Sequence, residues 1–264
     1  MSVTLIVMGA AGRMGATLAR LISEAPDLTL GAVLERAGQE GQLAAWRGTG
    51  TLVETDPATA LAALPGAVVV DFTAPGATMD TARLAAAHGN PMIIGTTGLT
   101  GENKTELGEL ARRVPLLLSP NMSVGINVLL ELLPELTRLL GAAYDVELTE
   151  IHHNRKKDAP SGTAVRLAEA LAEAKGWNLD AVGLYGREGM VGERPRNEIG
   201  VHALRGGDVV GVHTVYYMGP GERIEITHHA HSRENFANGA LRAARWLIRQ
   251  KPGKLYSMHD VLCT

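Results

Sequence analysis

Cysteine is almost missing from this 264-residue sequence. Only Cys263 is present, so no internal disulfide forms and no cysteine set holds zinc. Aromatic residues are scarce at 4%, which leaves few rings to stack on nucleic-acid bases. Neither sign of charge dominates: 25 Lys and Arg stand against 28 Asp and Glu, a formal net charge of −3. A generally basic surface is excluded, and no nucleic-acid partner is expected. Any bound anion must be met by local cations and backbone amides. No apolar run is long enough to cross a bilayer, and residues 1–8 read as a short strand rather than a signal peptide. The expectation is a cytoplasmic protein with no membrane partner. No internal repeat is visible, and the length allows one large or two small domains.

What is present starts with Val3 to Met8, a compact apolar run suited to a strand buried on both faces of a parallel sheet. Gly9-Ala10-Ala11-Gly12-Arg13-Met14-Gly15 follows, then a helical pattern from Ala16 to Ile22. Strand, glycine turn and helix form the setting of a dinucleotide fingerprint, here spaced G-x-x-G-x-x-G. Gly9 permits the tight turn, Gly12 admits a pyrophosphate to the backbone, and Gly15 lets the helix pack close to the sheet. Leu28 to Leu34 reads as a second strand ending in Glu35-Arg36. Glu35 suits the ribose 2′-hydroxyl of NADH, and Arg36 suits the 2′-phosphate of NADPH. Both cofactors stay open.

The alternation continues. Strand patterns at Ala67 to Phe72, Pro91 to Ile94 and Val114 to Leu118 are separated by helical patterns at Ala77 to Ala87 and Glu102 to Arg112. The strands close in Thr73-Ala74-Pro75-Gly76, Gly95-Thr96-Thr97-Gly98 and Ser119-Pro120-Asn121-Met122. Such alternation predicts a doubly wound parallel sheet. Val124 to Leu140 is apolar with helical spacing, and Pro134 should kink or interrupt it. It reads as the passage into a second domain. There, glycine-punctuated strand patterns at Glu198 to Leu204, Val209 to Tyr217 and Arg223 to His229 predict a small mixed or antiparallel sheet. His228, His229 and His231 find no cysteine or spaced carboxylate to complete a ligand set, so no metal is expected.

Residues 150–164 hold the densest chemistry. A strand pattern from Tyr144 to Ile151 runs into His152 and His153, then Arg155, Lys156 and Lys157, with Asp158 opposing them. Pro160 breaks the run, and Ser161-Gly162-Thr163 opens a helical pattern from Ala164 to Lys175. Helix N-terminal amides and Lys156 make an anion site, Ser161 is a suitable N-cap, and histidines exchange protons near neutral pH. The bland alternative is a solvated basic loop before a capped helix. Against it, the histidines end a strand, where ligand sites of α/β sheets lie.

His152-His153-x-x-Lys156-x-Asp158-Ala159-Pro160-Ser161-Gly162-Thr163-Ala164 resembles the signature of the dihydrodipicolinate reductase family. The glycine turn, Glu35-Arg36, Asp71-Phe72-Thr73, Gly95-Thr96-Thr97, the Asn121 turn and Arg233-x-x-Phe236-Ala237-x-Gly239-Ala240 extend the likeness over nearly the whole chain. The family often has Phe where this chain has Met122. The resemblance implies an α/β fold: a Rossmann-type doubly wound parallel sheet plus a smaller α+β domain with an open mixed sheet. It assigns residues 1–123 and 233–264 to dinucleotide binding, and 124–232 to substrate binding and assembly as a homotetramer. It implies NADH- or NADPH-dependent reduction of 4-hydroxy-tetrahydrodipicolinate, a cyclic dicarboxylate of the diaminopimelate route to lysine, with hydride to ring C4 and a proton to C3.

By the same resemblance His152 and Lys156 are catalytic, and His153, Ser161, Gly162 and Thr163 bind substrate. Cofactor contacts fall to Gly9, Ala10, Ala11, Gly12, Arg13, Met14, Glu35, Arg36, Phe72, Gly95, Thr96, Thr97, Ser119, Pro120, Asn121, Met122, Arg233 and Phe236. The residues alone do not separate His152 from His153. Two rival readings are a two-domain dehydrogenase of an amino or keto dicarboxylate and a non-enzymatic dinucleotide sensor.

Overall fold

Strand and helix alternate through the first half of the computed structural model, which describes residues 2–263. The order is β1 (Val3–Met8), α1 (Arg13–Glu24), β2 (Leu28–Leu34), β3 (Leu52–Glu54), α2 (Pro57–Ala63), β4 (Val68–Asp71) and α3 (Pro75–His88). Then come β5 (Met92–Ile94), α4 (Gly101–Leu110), β6 (Leu116–Leu118) and α5 (Val124–Leu140). The second half holds β7 (Asp145–His152), α6 (Gly162–Ala174), α7 (Leu179–Val182), β8 (Gly183–Leu184), β9 (Ile199–Arg205), β10 (Gly211–Gly219) and β11 (Glu222–Ala230). The chain closes with α8 (Glu234–Leu247), β12 (Leu255–Tyr256) and α9 (Met258–Leu262). The elements form two units. One takes the residues up to Val124 and from Glu234 on, and the other takes Gly125–Arg233.

In the first unit, strands β12-β6-β5-β4-β1-β2-β3 form a parallel sheet. Alternate side chains leave opposite faces. Leu5, Val7, Val68, Val70, Ile93 and Leu117 pack with Leu18 and Ile22 of α1 and Leu241 and Leu247 of α8. Ile6, Val69, Met92, Ile94 and Leu116 pack with Met79 and Ala82 of α3 and Leu107 of α4. Both faces are covered, which is why the strands read as unbroken apolar runs. Each such leucine or isoleucine contributes roughly 1.5–3 kcal/mol by its burial. The winding direction reverses between β1 and β4, so a crevice opens beyond their carboxyl ends. This is the doubly wound Rossmann-type sheet that the alternation predicts.

The sheet has two more strands than the sequence patterns show. Strands β3 and β12 are short edge strands of three and two residues, too brief for a periodic signal. Helix α2 begins with Asp56 accepting from the Ala58 and Thr59 amides and Pro57 in the first turn, a start signal within the segment of weakest patterning. Interruption at Pro134, one of the two outcomes expected there, is not seen: α5 runs through it. Leu133 beside it is fully buried in the second unit's core, and its carbonyl accepts from Thr137 at 2.7 Å and Tyr217 at 3.3 Å. Anchoring of this kind offsets the ~3 kcal/mol a helical proline costs.

The second unit's sheet runs β11-β10-β7-β9-β8. Strand β10 pairs antiparallel with β11 and β7, while β9 runs parallel to β7 and β8, so the sheet is mixed. Val146, Leu148, Val201, Val215 and Tyr217 pack with Leu167 and Leu171 of α6 and Leu133 of α5. The opposite parity of β7 presents Glu147, which accepts from Arg187 at 2.7 Å, Arg194 at 2.9 Å and His202 at 2.9 Å. Arg187 also pairs with Glu198, and Arg194 with Asp145 at 2.8 Å. These bonds pin the long 185–198 connection to the sheet. Among the described residues no helix is long and apolar enough to cross a membrane.

Burial opposes the charge on Glu147, but its arginine and histidine donors outweigh that and hold its carboxyl at about 2, against an ordinary 4.5. The pKa is depressed on folding, so this group's stabilisation is complete above 4.5 and is lost as pH falls towards about 2. The thermal midpoint should therefore drop more steeply across that window in the native protein than in Glu147→Gln. Parallel curves would remove Glu147 as the acid-sensitive group.

Candidate active site

The crevice of the first unit begins at the glycine turn. Gly9 has φ of +62°, and a Cβ there would lie 2.8 Å from the Thr73 methyl. A Cβ on Gly15 would collide with the Gly9 carbonyl, so helix α1 starts hard against the turn. Glu35, at the end of β2, accepts from the Ala11 amide at 3.2 Å and from the Arg36 amide at 3.0 Å. The Arg36 side chain is 83% exposed. Gly9, Ala11, Gly12, Glu35, Arg36 and Phe72 line a cavity of about 680 Å³, which Gln39, Thr55, Thr73, Ala77 and Thr81 extend. The turn's own amides are engaged, Ala10 with the Leu34 carbonyl, Ala11 with Glu35 and Gly12 with the Gly9 carbonyl, so the N-terminus of α1, which glycine leaves uncovered, is what fits a dinucleotide's pyrophosphate.

The remaining predicted cofactor residues lie around this cavity or away from it. Ala10 is buried, Arg13 is exposed at the start of α1, and Met14 packs on the core. Gly95 and Thr96 are buried beyond β5, with the Phe72 ring against Gly95, while Thr97 is exposed. Ser119 donates to the Asn121 carbonyl at 2.7 Å, Pro120 is exposed, and Met122 is buried in the core. Phe236 packs on the same core, and Arg233 is exposed at the last position of the second unit.

Asp71 joins these turns, a part that no sequence pattern assigns it. It is fully buried, and its Oδ1 accepts from the Thr73 amide at 2.7 Å and hydroxyl at 2.6 Å. The Thr96 hydroxyl lies 3.4 Å from the same oxygen. Burial raises its carboxyl above the usual range, against the Thr73 bonds.

The second unit gathers the motif at the end of β7. Val146, Leu148, Glu150 and His152 share one strand face, so an apolar stripe turns polar at its C-terminal end. His152 Nδ1 lies 2.6 Å from Glu150 Oε2. His153 points elsewhere: its amide donates to the Val209 carbonyl at 2.8 Å, and its buried Nδ1 has no hydrogen-bond partner among the described residues. Lys156 donates to Asp158 at 2.9 Å. Ser161 caps α6, its Oγ accepting from the Ala164 amide at 3.1 Å. Gly162 and Thr163 follow in the first turn, where amides carry partial positive charge.

The structure adds Glu150, Arg205 and His213. Arg205 donates to both Glu150 oxygens at 2.7 and 2.8 Å. His213, opposite Glu150 across the β7–β10 ladder, meets Ser161 Oγ at 3.0 Å and stands edge-on to His152 at 5.2 Å. Burial, then the nearby His152, pushes His213 down to about 3, so it is neutral at neutral pH. Burial also lowers His152, against the raising effect of Glu150. A glutamate two places before His152 was the only sequence signal; the cross-strand register of His213 and Arg205 left none. The assembly can supply a proton, a cation and helix amides to one anionic ligand.

Comparison with known proteins agrees with the motif. The sequence models described as dihydrodipicolinate reductase N-terminus and C-terminus match residues 3–122 and 125–262. The 4-hydroxy-tetrahydrodipicolinate reductase of Nitratidesulfovibrio vulgaris is 62% identical over 99% of this chain and 100% of its own length. The enzyme of the same name from Oleidesulfovibrio alaskensis is 56% identical at the same coverage. A dipicolinate-bound dihydrodipicolinate reductase from Paenisporosarcina sp. TG-14 shares the fold with a TM-score of 0.76 at 22% identity, covering 97% of this chain and 98% of that one.

The glycine turn yields a stability test. Gly9→Ala should cost roughly 1–2 kcal/mol for its left-handed backbone alone, plus the displacement of Thr73. Gly108→Ala, in α4 with open space around it, should gain about 0.5–1 kcal/mol. Urea unfolding reads both, and equal effects would show that the turn does not require glycine.

Proposed function

The chain belongs to the dihydrodipicolinate reductase family and is an oxidoreductase, and from that premise we propose that it reduces 4-hydroxy-tetrahydrodipicolinate to tetrahydrodipicolinate in the diaminopimelate route to lysine. The observation that carries this reading is the convergence of His152, Lys156 and the start of α6 at the end of β7. Its relatives bear that activity in their names, and the Paenisporosarcina enzyme binds dipicolinate, a ring with two carboxylates. The first unit would hold NADH or NADPH at the glycine turn, and the second the dicarboxylate.

A reduced nicotinamide, when bound, supplies hydride to ring C4 of the imine left when the 4-hydroxyl departs as water. The remaining work falls to the protein's own groups. His152 is the proton donor to C3, since it lies in a buried network with a fixed carboxylate partner. Lys156, its position held by Asp158, steadies the negative charge and donates the proton with which the 4-hydroxyl departs as water. The Gly162 and Thr163 amides and the Lys156 charge receive carboxylate oxygens, and such charge-assisted bonds are roughly twice as strong as neutral ones. His153 completes the substrate contacts. Glu35 receives the ribose of NADH, and Arg36 the 2′-phosphate of NADPH. Assembly as a homotetramer belongs to the same proposal, supported by the pinned 185–198 connection with Met190 and Val191 exposed on it.

Mixing purified protein with freshly made 4-hydroxy-tetrahydrodipicolinate should consume NADH or NADPH absorbance. Lys156→Ala should lower kcat/KM by on the order of 10²–10⁴-fold, with NADH affinity within about twofold of native. Folded protein that binds NADH but oxidises neither cofactor would return the substrate to another dicarboxylate. Arg36→Ala should weaken NADPH by about tenfold or more and NADH by less. Equal losses would remove the 2′-phosphate role.

A further inference from the structure

We propose that Glu150 is the positioning residue of this site: it holds His152 with the proton on Nδ1, so that Nε2 is the nitrogen that exchanges a proton with substrate. The inference rests on the proton-donor reading of His152 above and says which of its atoms acts and what aims it.

Glu150 has no exposed surface. A buried carboxylate is costly unless its lone pairs are met. Here both oxygens accept two hydrogen bonds. Oε1 takes the Ser161 amide at 2.9 Å and Arg205 Nη2 at 2.8 Å. Oε2 takes Arg205 Nη1 at 2.7 Å and faces His152 Nδ1 at 2.6 Å. Burial opposes the charge, but the bonds from Arg205, His152 and Ser161 outweigh it and hold the carboxyl below the usual range. An ionised carboxylate only accepts, so His152 Nδ1 must be the donor. The neutral ring then bears its lone pair on Nε2, and the charged ring bears its transferable proton there. A Cβ on residue 211 would stand 3.0 Å from Nε2, so glycine at that position keeps the nitrogen unobstructed.

The same carboxylate reaches the other groups of the site. Its bond to the Ser161 amide fixes the residue that caps α6. Arg205, tied to it at both nitrogens, also donates to the Asp158 carbonyl at 2.8 Å, and Asp158 holds Lys156. One buried charge thus orients the proton donor, the helix amides and the lysine loop. The groups that face His152 are Glu150 on its own strand, His213 on β10, Arg205 on β9 and Lys156 in the following loop. Of these only Glu150 accepts a hydrogen bond from Nδ1.

Glu150→Gln is the informative change, because no placement of an amide satisfies the network. One of its two ends is always an NH₂ group facing two donors. Long-range proton–nitrogen NMR of protein labelled with ¹⁵N-histidine reads the tautomer directly, with His152→Gln assigning the signal. The native protein should show His152 protonated at Nδ1. In Glu150→Gln that tautomer should be lost or mixed, kcat should fall on the order of 100-fold, and KM for the reduced nucleotide should stay within about twofold. The pH–rate profile should also move, since Glu150 raises the His152 pKa and the amide does not. A native His152 protonated at Nε2 overturns the proposal, and needs no folded variant. A Glu150→Gln protein with unchanged tautomer and kcat overturns it equally. Because the tautomer is read without turnover, failure of the proposed reaction with His152 protonated at Nδ1 refutes the reaction and leaves the positioning intact.

Discussion

At Glu150 a carboxylate lies out of contact with water, and its charge persists because four donors surround it. The four donors come from three pieces of local structure: His152 at the end of β7, the Ser161 amide at the cap of α6, and both guanidinium nitrogens of Arg205 on β9. Removing any one leaves part of a buried charge unmet, which costs far more than an ordinary exposed ion pair contributes. The polar end of the second unit's sheet face is therefore a single cooperative object. Its apolar continuation through Leu148 and Val146 joins that object to the core of α5 and α6, so the geometry of the site inherits the rigidity of the packing behind it.

The first unit reaches a comparable result with less charge. Parity along β1 and β4 sends alternate residues into cores on opposite faces of the sheet. Only at the carboxyl ends do the strands give way to turns. There Gly9 meets the Thr73 methyl, the Phe72 ring meets Gly95, and buried Asp71 bonds to Thr73. The turns that frame the cavity at Gly9, Glu35 and Phe72 are thus braced by small, close contacts. These explain why glycine and threonine recur in the turns after β1, β4 and β5.

The two faces of β7 show how similar side chains serve different ends. Glu147 on one face carries arginines that fasten the 185–198 connection, and Glu150 on the other carries an arginine and His152. In each case burial of the carboxylate works against its ionisation and the arginine donors prevail. Chemistry follows from the neighbour each carboxylate receives, not from the carboxylate.

Much of this was legible in the chain itself. Short apolar runs such as residues 5–8 and 68–70 announce strands covered on both faces, as in a parallel sheet between helix layers. The glycine turn, Glu35-Arg36 and the His152 to Thr163 run lie contiguously in sequence, so their spacing could be read directly. Short edge strands such as β3 and β12 left no pattern, because pairing with a neighbour, not local periodicity, makes them strands. Helix α5 passes through Pro134 because a distant tyrosine and the core hold Leu133, which no local propensity conveys. The separation of His152 from His153 likewise waited on the fold. Strand alternation says that they face apart, but only the register of β7 against β9 and β10 brings Arg205 and His213 to Glu150 and shows which histidine is held. The sequence by itself determined the chemical groups and the layers that carry them. The tertiary structure alone decided their partners, because hydrogen bonds between strands join residues that share no spacing along the chain.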